Sequence, residues 1–264
     1  MNNTGFLEPK ITLDHWILGS STLPNQPIQQ NGDWTAFLPE FESQIKRIET
    51  FNCTGFNTEK PIRILLKKLG IDENYSARWI GIIAGTTPPG NDPHTVAEAI
   101  RKNGLIPESM LPFSDDLNTS EYFSFKGADE ATCRAEGKRW LERFQFGHEW
   151  VPSNPSAMLE ALKLSPLGVA VNAWNRDQNG LYINQTDNFN HWTCCVVGYE
   201  QDKYWLIDDS YLQDGTPLKK LAWNYKFGYC KRYSIVIKNV EKETITLMER
   251  LVKLLKQYLA EYLK

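Results

Sequence analysis

Histidine is scarce in this chain: four in 264 residues, beside five cysteines and four methionines. The histidines are scattered, and no His/Cys pair stands at ligand spacing, so no zinc site and no metal is expected. The cysteines, at 53, 133, 194, 195 and 230, form no CxxC pair. An odd count without an export signal favours reduced thiols over a disulfide framework. Residues 1–10 lack the basic and apolar regions of a secretory signal. No apolar run approaches the roughly 18 residues that would suggest a transmembrane helix. There is no basic block and the net charge is −3, so nucleic acid is not an expected partner, since phosphate neutralisation needs clustered Lys and Arg. Internal repeats and low-complexity tracts are absent too.

What is present is ordinary globular composition, 41% hydrophobic and 23% charged, with nine tryptophans. That suits a bulky core or a ligand cleft in one domain or two packed halves. Residues 1–32, rich in Asn, Gln, Pro and Ser, read as an extended lead-in along a domain surface. From Asp33 the apolar anchors begin. Residues 62–70 read as a buried helix closed by Gly70. Asn52 or Thr54 is a candidate cap for a helix containing Cys53, and Pro61 implies either a bend or a new helix capped by Thr58. A short apolar helix falls at 75–87 and an amphipathic one at 95–103. Residues 130–146 read as a helix or a helix–strand junction, and Asn154 caps a further helix. His94 and His148 read as solvated loop positions.

The second half changes period. Residues 168–174 form a strand, and His191 heads the apolar run to Tyr199. Four polar residues, Glu200 to Lys203, then lead into the run Tyr204 to Tyr211, the pattern of a β-hairpin. In an antiparallel pair this puts His191 and Asp209 at the same edge of the sheet. A last strand covers 229–237. The fold class is therefore α+β: a helical lobe at about 33–150 and an antiparallel sheet or barrel at about 151–240, with Cys53 in the first and His191 and Asp209 in the second. Residues 241–264 carry an apolar stripe at heptad-like intervals, a helix that covers the domain or docks a partner or another copy. On local sequence Cys53 has two readings: an inert buried thiol, or a nucleophile whose thiolate is favoured at a helix N-terminus.

Cys53, His191 and Asp209 occur in that order, with His191 inside the window of roughly 130–150 residues that separates nucleophile and histidine in papain and the cathepsins. Asn190-His191-Trp192-Thr193 with Val197-Gly198-Tyr199 resembles that family's Asn-His-Ala-Val and Val-Gly-Tyr. Tyr204-Trp205-Leu206-Ile207-Asp208-Asp209-Ser210-Tyr211 resembles its Tyr-Trp-x-x-Lys-Asn-Ser-Trp. Asp33-Trp34, Ser165 to Val171, and Gly104 to Glu108 with Pro112-Phe113 also match its stretches in order. The chain thus resembles the papain-like cysteine peptidases, in a divergent phage or microbial form, over about residues 33–237. The resemblance implies a two-lobed fold with a cleft, no cofactor, and peptide or protein substrates. It implies a triad of Cys53, His191 and Asp209, with Gln44 as oxyanion donor and Gly90, Asn91, Trp192 and Tyr211 lining the cleft. The family's Gln-Gly-x-Cys-Gly-Ser-Cys-Trp motif is missing here, Asp209 replaces an asparagine, and Tyr211 replaces a tryptophan. Residues 1–32 are too short and proline-rich for a helical inhibitory prosegment and leave room for a strap. Two further readings use the same features: an assembly protein of a phage particle docking through 241–264, and an acyltransferase working through the same triad. The expected location is cytoplasmic or virion-associated.

Overall fold

The computed structural model describes residues 5–19, 29–213 and 215–238. The segment 241–264 lies outside them, and with it the docking role expected there. In chain order the elements are β1 (Gly5–Phe6), α1 (Cys53–Lys68), α2 (Ala77–Ile83), β2 (Gly90–Asn91), α3 (Pro93–Asn103), α4 (Thr119–Tyr122) and α5 (Glu130–Arg143). There follow β3 (Phe144–Val151), α6 (Pro155–Leu162), β4 (Leu167–Val171), β5 (His191–Tyr199), β6 (Tyr204–Gln213), β7 (Thr216–Ala222) and β8 (Cys230–Ile237).

The helical half is built around α1, whose residues from Cys53 to Leu66 are all buried. An all-round buried helix shows no amphipathic period, so its polar residues need partners. Lys60 pairs with Asp208 at 3.0 Å, and Arg63 pairs with Glu42 at 3.0 Å and Glu59 at 3.6 Å. Pro61 lies inside this one continuous helix rather than starting a second. Its missing N–H costs one bond to the carbonyl four residues earlier. Asn52 occupies the N-cap position without a side-chain cap bond. Its amide instead donates to the Ala77 carbonyl and the Tyr122 hydroxyl, at 2.9 and 3.0 Å. Gly55 permits this, because a Cβ there would stand 2.5 Å from the Asn52 side-chain oxygen. The cap bonds appear elsewhere: Ser76 holds Trp79, and Asp92 and Asn154 cap helices that begin at Pro93 and Pro155.

Six strands form one antiparallel sheet in the order β3-β8-β4-β5-β6-β7. The hairpin read from the sequence is β5 and β6, with Tyr199 opposite Tyr204. The barrel considered for this lobe does not close, since β3 and β7 are the ends of the strand order. The helix–strand junction read at 130–146 is α5 running into β3 without a break, whereas β7, which begins in the Gly-Thr-Pro turn signal, was not legible. Trp34 pins the incoming chain to this sheet. It is fully buried, its indole donates to the Leu162 carbonyl at 2.7 Å, and its backbone N–H reaches Val196. Among the described residues no helix is long and apolar enough to cross a membrane.

Candidate active site

Two elements converge on one point. The first turn of α1 carries Cys53, and the start of β5 carries His191 and Trp192. The Trp192 backbone N–H points at the Cys53 sulfur, 3.4 Å away. The Asn57 side chain, one turn into α1, ties the assembly together. It donates to the Cys53 carbonyl at 3.1 Å, the Trp192 carbonyl at 2.8 Å and the Ser210 hydroxyl at 2.9 Å. The N-terminal turn of a helix favours negative charge.

His191 meets Asp209 across the hairpin, on one face because the register shifts between Cys195 and Val197: Nε2 lies 2.5 Å from Oδ1, and both side chains are completely buried. The other ring nitrogen therefore points away from the carboxylate. Trp174 and Tyr211 stand edge-on to the ring, with centroids at 5.7 and 5.2 Å. The Asn190 side chain accepts the Ala173 N–H at 2.9 Å and so anchors the backbone next to Trp174. Burial alone would push the Asp209 carboxyl up, but the charges of His191 and Lys219 overcome it and hold the group below the usual carboxylate range. Lys219, from the unforeseen strand β7, lies 2.9 Å from Asp209 Oδ2.

Gln44 is also fully buried. Its amide nitrogen donates to Glu49 at 2.8 Å and to the Tyr211 hydroxyl at 2.7 Å, and its oxygen accepts from Ser210 at 2.7 Å. Glu49, which the sequence did not single out, is the hub of this network. It accepts the Phe51 N–H at 2.8 Å as well and bonds the Tyr211 hydroxyl. Phe51 sits two residues before Cys53, where the family motif has glycine, and takes φ 53. A non-glycine residue in the left-handed region is strained and needs surrounding bonds to hold it, and Glu49 supplies one.

The remaining cleft residues are brought together around an unexpected occupant. Gly90 and Asn91 pair in parallel with Gly5 and Phe6 from the chain's own N-terminal segment. The Leu7 N–H continues the ladder to the Asn91 carbonyl at 3.0 Å. Phe6 stacks on Trp192, with centroids 6.0 Å apart and rings 3° from parallel, in an apolar cluster that contains Cys53. Gly5 passes so close to the loop before Cys53 that a Cβ would stand 2.3 Å from the Phe51 carbonyl oxygen. The lead-in is therefore not confined to the surface. Its first described residues fill the cleft, and Cys53 and His191 are 0% exposed.

His94 and His148, expected in solvated loops, are not there. His148 lies on β3, buried, between Glu98 at 3.0 Å and Lys231 at 3.1 Å. His94 is half-buried in the first turn of α3 and stacks on His15 of the lead-in at 3.6 Å. Burial pushes the first down to about 3 and the second down to about 4. Among the described residues no group of three or more His, Cys, Asp or Glu is arranged to hold a metal ion.

No protein-family model matches the chain, and no curated protein matches it. Solved structures do match. Xylellain, a cysteine protease from Xylella fastidiosa, superposes with a TM-score of 0.63 at 16% identity, covering 90% of this chain and 96% of that one. Digestive procathepsin L 3 of the Tenebrio molitor larval midgut gives 0.59 at 15%, over 88% and 76%. The bromelain protease from Ananas comosus gives 0.56 at 18%, over 76% and 97%. The fold is papain-like.

Proposed function

We propose that the chain is a cysteine peptidase in which Cys53 is the nucleophile, His191 the proton carrier and Asp209 the group that orients the imidazole. The observation that carries this reading is the 2.5 Å contact from His191 Nε2 to Asp209. It stands one residue from the Trp192 N–H that bonds the Cys53 sulfur. A histidine whose far nitrogen is held by a carboxylate presents its near nitrogen in a fixed tautomer, which is what thiol activation requires.

The thiolate attacks the scissile carbonyl carbon, and the imidazolium gives its proton to the amine as the C–N bond breaks. Water, deprotonated by the same imidazole, then hydrolyses the thioester and returns the thiol. The developing oxyanion needs donors already in place. The Cys53 N–H at the helix start and the Gln44 amide are the candidates. Gln44 donates to Glu49 and Tyr211 in this state, so serving the oxyanion involves exchanging one of those bonds. Gly90 and Asn91 offer a substrate backbone the edge that Gly5 and Phe6 now occupy, and Trp192, on which Phe6 stacks, flanks it. Residues 5–7 have to leave before a peptide enters.

Hydrolysis of an unstructured protein substrate, followed by mass spectrometry, tests the reading. Cleavage that disappears in Cys53→Ser and in His191→Ala supports it. Cleavage that survives Cys53→Ser rules out this site as its source.

A further inference from the structure

This site carries a full charge behind its histidine. A Cys53 thiolate and a His191 imidazolium sum to zero, and the Asp209 carboxylate takes the group to one net negative charge. His191 and Asp209 are both 0% exposed. A buried charge without compensation is costly. A carboxylate 2.5 Å from the ring also favours the imidazolium, which works against the transfer of its proton to a leaving group.

The structure supplies a counter-charge from the opposite side. Lys219 lies on the edge strand β7, where a lysine is ordinarily solvated, yet its side chain is 0% exposed. Its ammonium stands 2.9 Å from Asp209 Oδ2, donates to the Tyr211 carbonyl at 2.7 Å, and lies 5.1 Å from the centre of the Trp174 ring. The two carboxylate oxygens are thus divided. Oδ1 takes His191 Nε2 and the Ser210 N–H at 2.8 Å, and Oδ2 takes Lys219. Lys60, from α1, is committed to Asp208 at 3.0 Å and to the Asp209 carbonyl at 2.9 Å. The surroundings of the ring include Asp209 and Tyr211 of β6, Trp174 from the loop after β4, and Cys53 of α1 beyond the Trp192 N–H. Lys219 acts through Asp209, Glu49 stands behind Tyr211, and Lys60 and Asp208 balance one another.

We propose that Lys219 is a positioning residue of the candidate active site. By neutralising Asp209 from behind, it lets a carboxylate orient His191 as a neutral amide would, fixing the ring without trapping its proton. The pair Asp209–Lys219 is then the functional unit, not Asp209 alone. The consequence for turnover rests on the peptidase reading; the consequence for the ring rests on geometry.

The test is the titration of the His191 ring by NMR in the full chain, with its resonance assigned from the His191→Gln spectrum. It is paired with the pH profile of kcat/KM. Lys219→Met removes a like charge that disfavours the imidazolium, so it should raise the ring midpoint and move the alkaline limb of the profile with it. Asp209→Asn, which leaves an unpaired ammonium, should lower the midpoint. The double variant Asp209→Asn/Lys219→Met, neutral again, should return close to the wild-type midpoint. If Lys219→Met alone does not fold, that double variant still decides. An unchanged midpoint in Lys219→Met, or a double variant displaced as far as Asp209→Asn alone, overturns the proposal. Absence of peptide hydrolysis in every protein would remove the peptidase reading while the ring titration still judges Lys219.

Discussion

A single carboxylate explains why the loop before Cys53 can hold Phe51 where the related motif has glycine. Glu49 accepts from Phe51, from Gln44 and from Tyr211, so three groups around Cys53 depend on it. Replacing it by alanine leaves those donors without their acceptor, and an unsatisfied buried donor costs about 1–3 kcal/mol. Glu49→Ala should therefore lower unfolding stability by about 2 kcal/mol and kcat/KM about tenfold, a loss of roughly 1.4 kcal/mol in transition-state stabilisation. Steady-state kinetics beside chemical denaturation check both, and kinetics unchanged from wild type would show that the loop holds itself. Much of the candidate site was legible residue by residue. The hairpin put His191 and Asp209 at one edge of the sheet, but not on one face: a regular ladder from Tyr199 opposite Tyr204 sets Asp209 opposite Cys194, and the register shift between Cys195 and Val197 turns it toward His191. Glu49 was not legible, because its role is a set of contacts to residues that are near in space and ordinary in type.

At the scale of elements, the N-terminal segment and the cleft are one system. Gly5 and Phe6 fit against Gly90 and Asn91 only because two glycines allow backbones to meet: a Cβ on Gly90 would stand 2.1 Å from the Gly5 carbonyl oxygen, and Gly5 takes φ 115. Such a pairing leaves no hydrophobic period, so the sequence offered an extended lead-in and no destination. Gly5→Val puts a branched side chain into the Phe51 carbonyl and into a conformation that β-branched residues avoid. That variant should free the cleft and raise the rate at which iodoacetamide alkylates Cys53, read by mass spectrometry. A rate equal to wild type would mean that residues 5–7 do not limit access. The same physics explains what was missed in the strands. β7 was obscured by Lys219 and Lys220, one of which is buried by an ion pair. β3 showed only as its junction with α5, and its run on to Val151 was hidden, and with it the buried position of His148.

Across the whole molecule, burial sets the acid–base behaviour. Burial pushes the Glu59 carboxyl up to about 8, with Arg63 opposing. From the unfolded value of about 4.3 to that point, the fold keeps a proton that the unfolded chain has lost, so stability falls as pH rises through the window. Thermal unfolding at pH 5 and pH 8 should show a larger loss for wild type than for Glu59→Gln; equal losses would contradict this assignment. Asp209 works in the opposite sense. Its depressed folded value gives a contribution present above about 3.9 and lost only in stronger acid. Burial also separates the thiols. It pushes Cys133, Cys194 and Cys230 up and takes Cys195 up to about 12. Cys53, by contrast, sits at a helix start in bonding contact with the Trp192 N–H. The most direct measurement of the central claim is therefore the rate of iodoacetamide labelling of each cysteine in the folded Gly5→Val variant, with and without His191→Ala. The account predicts labelling at Cys53 ahead of the other four and its loss when His191 is removed. Labelling at Cys53 no faster than at Cys133, or undiminished without His191, would contradict it.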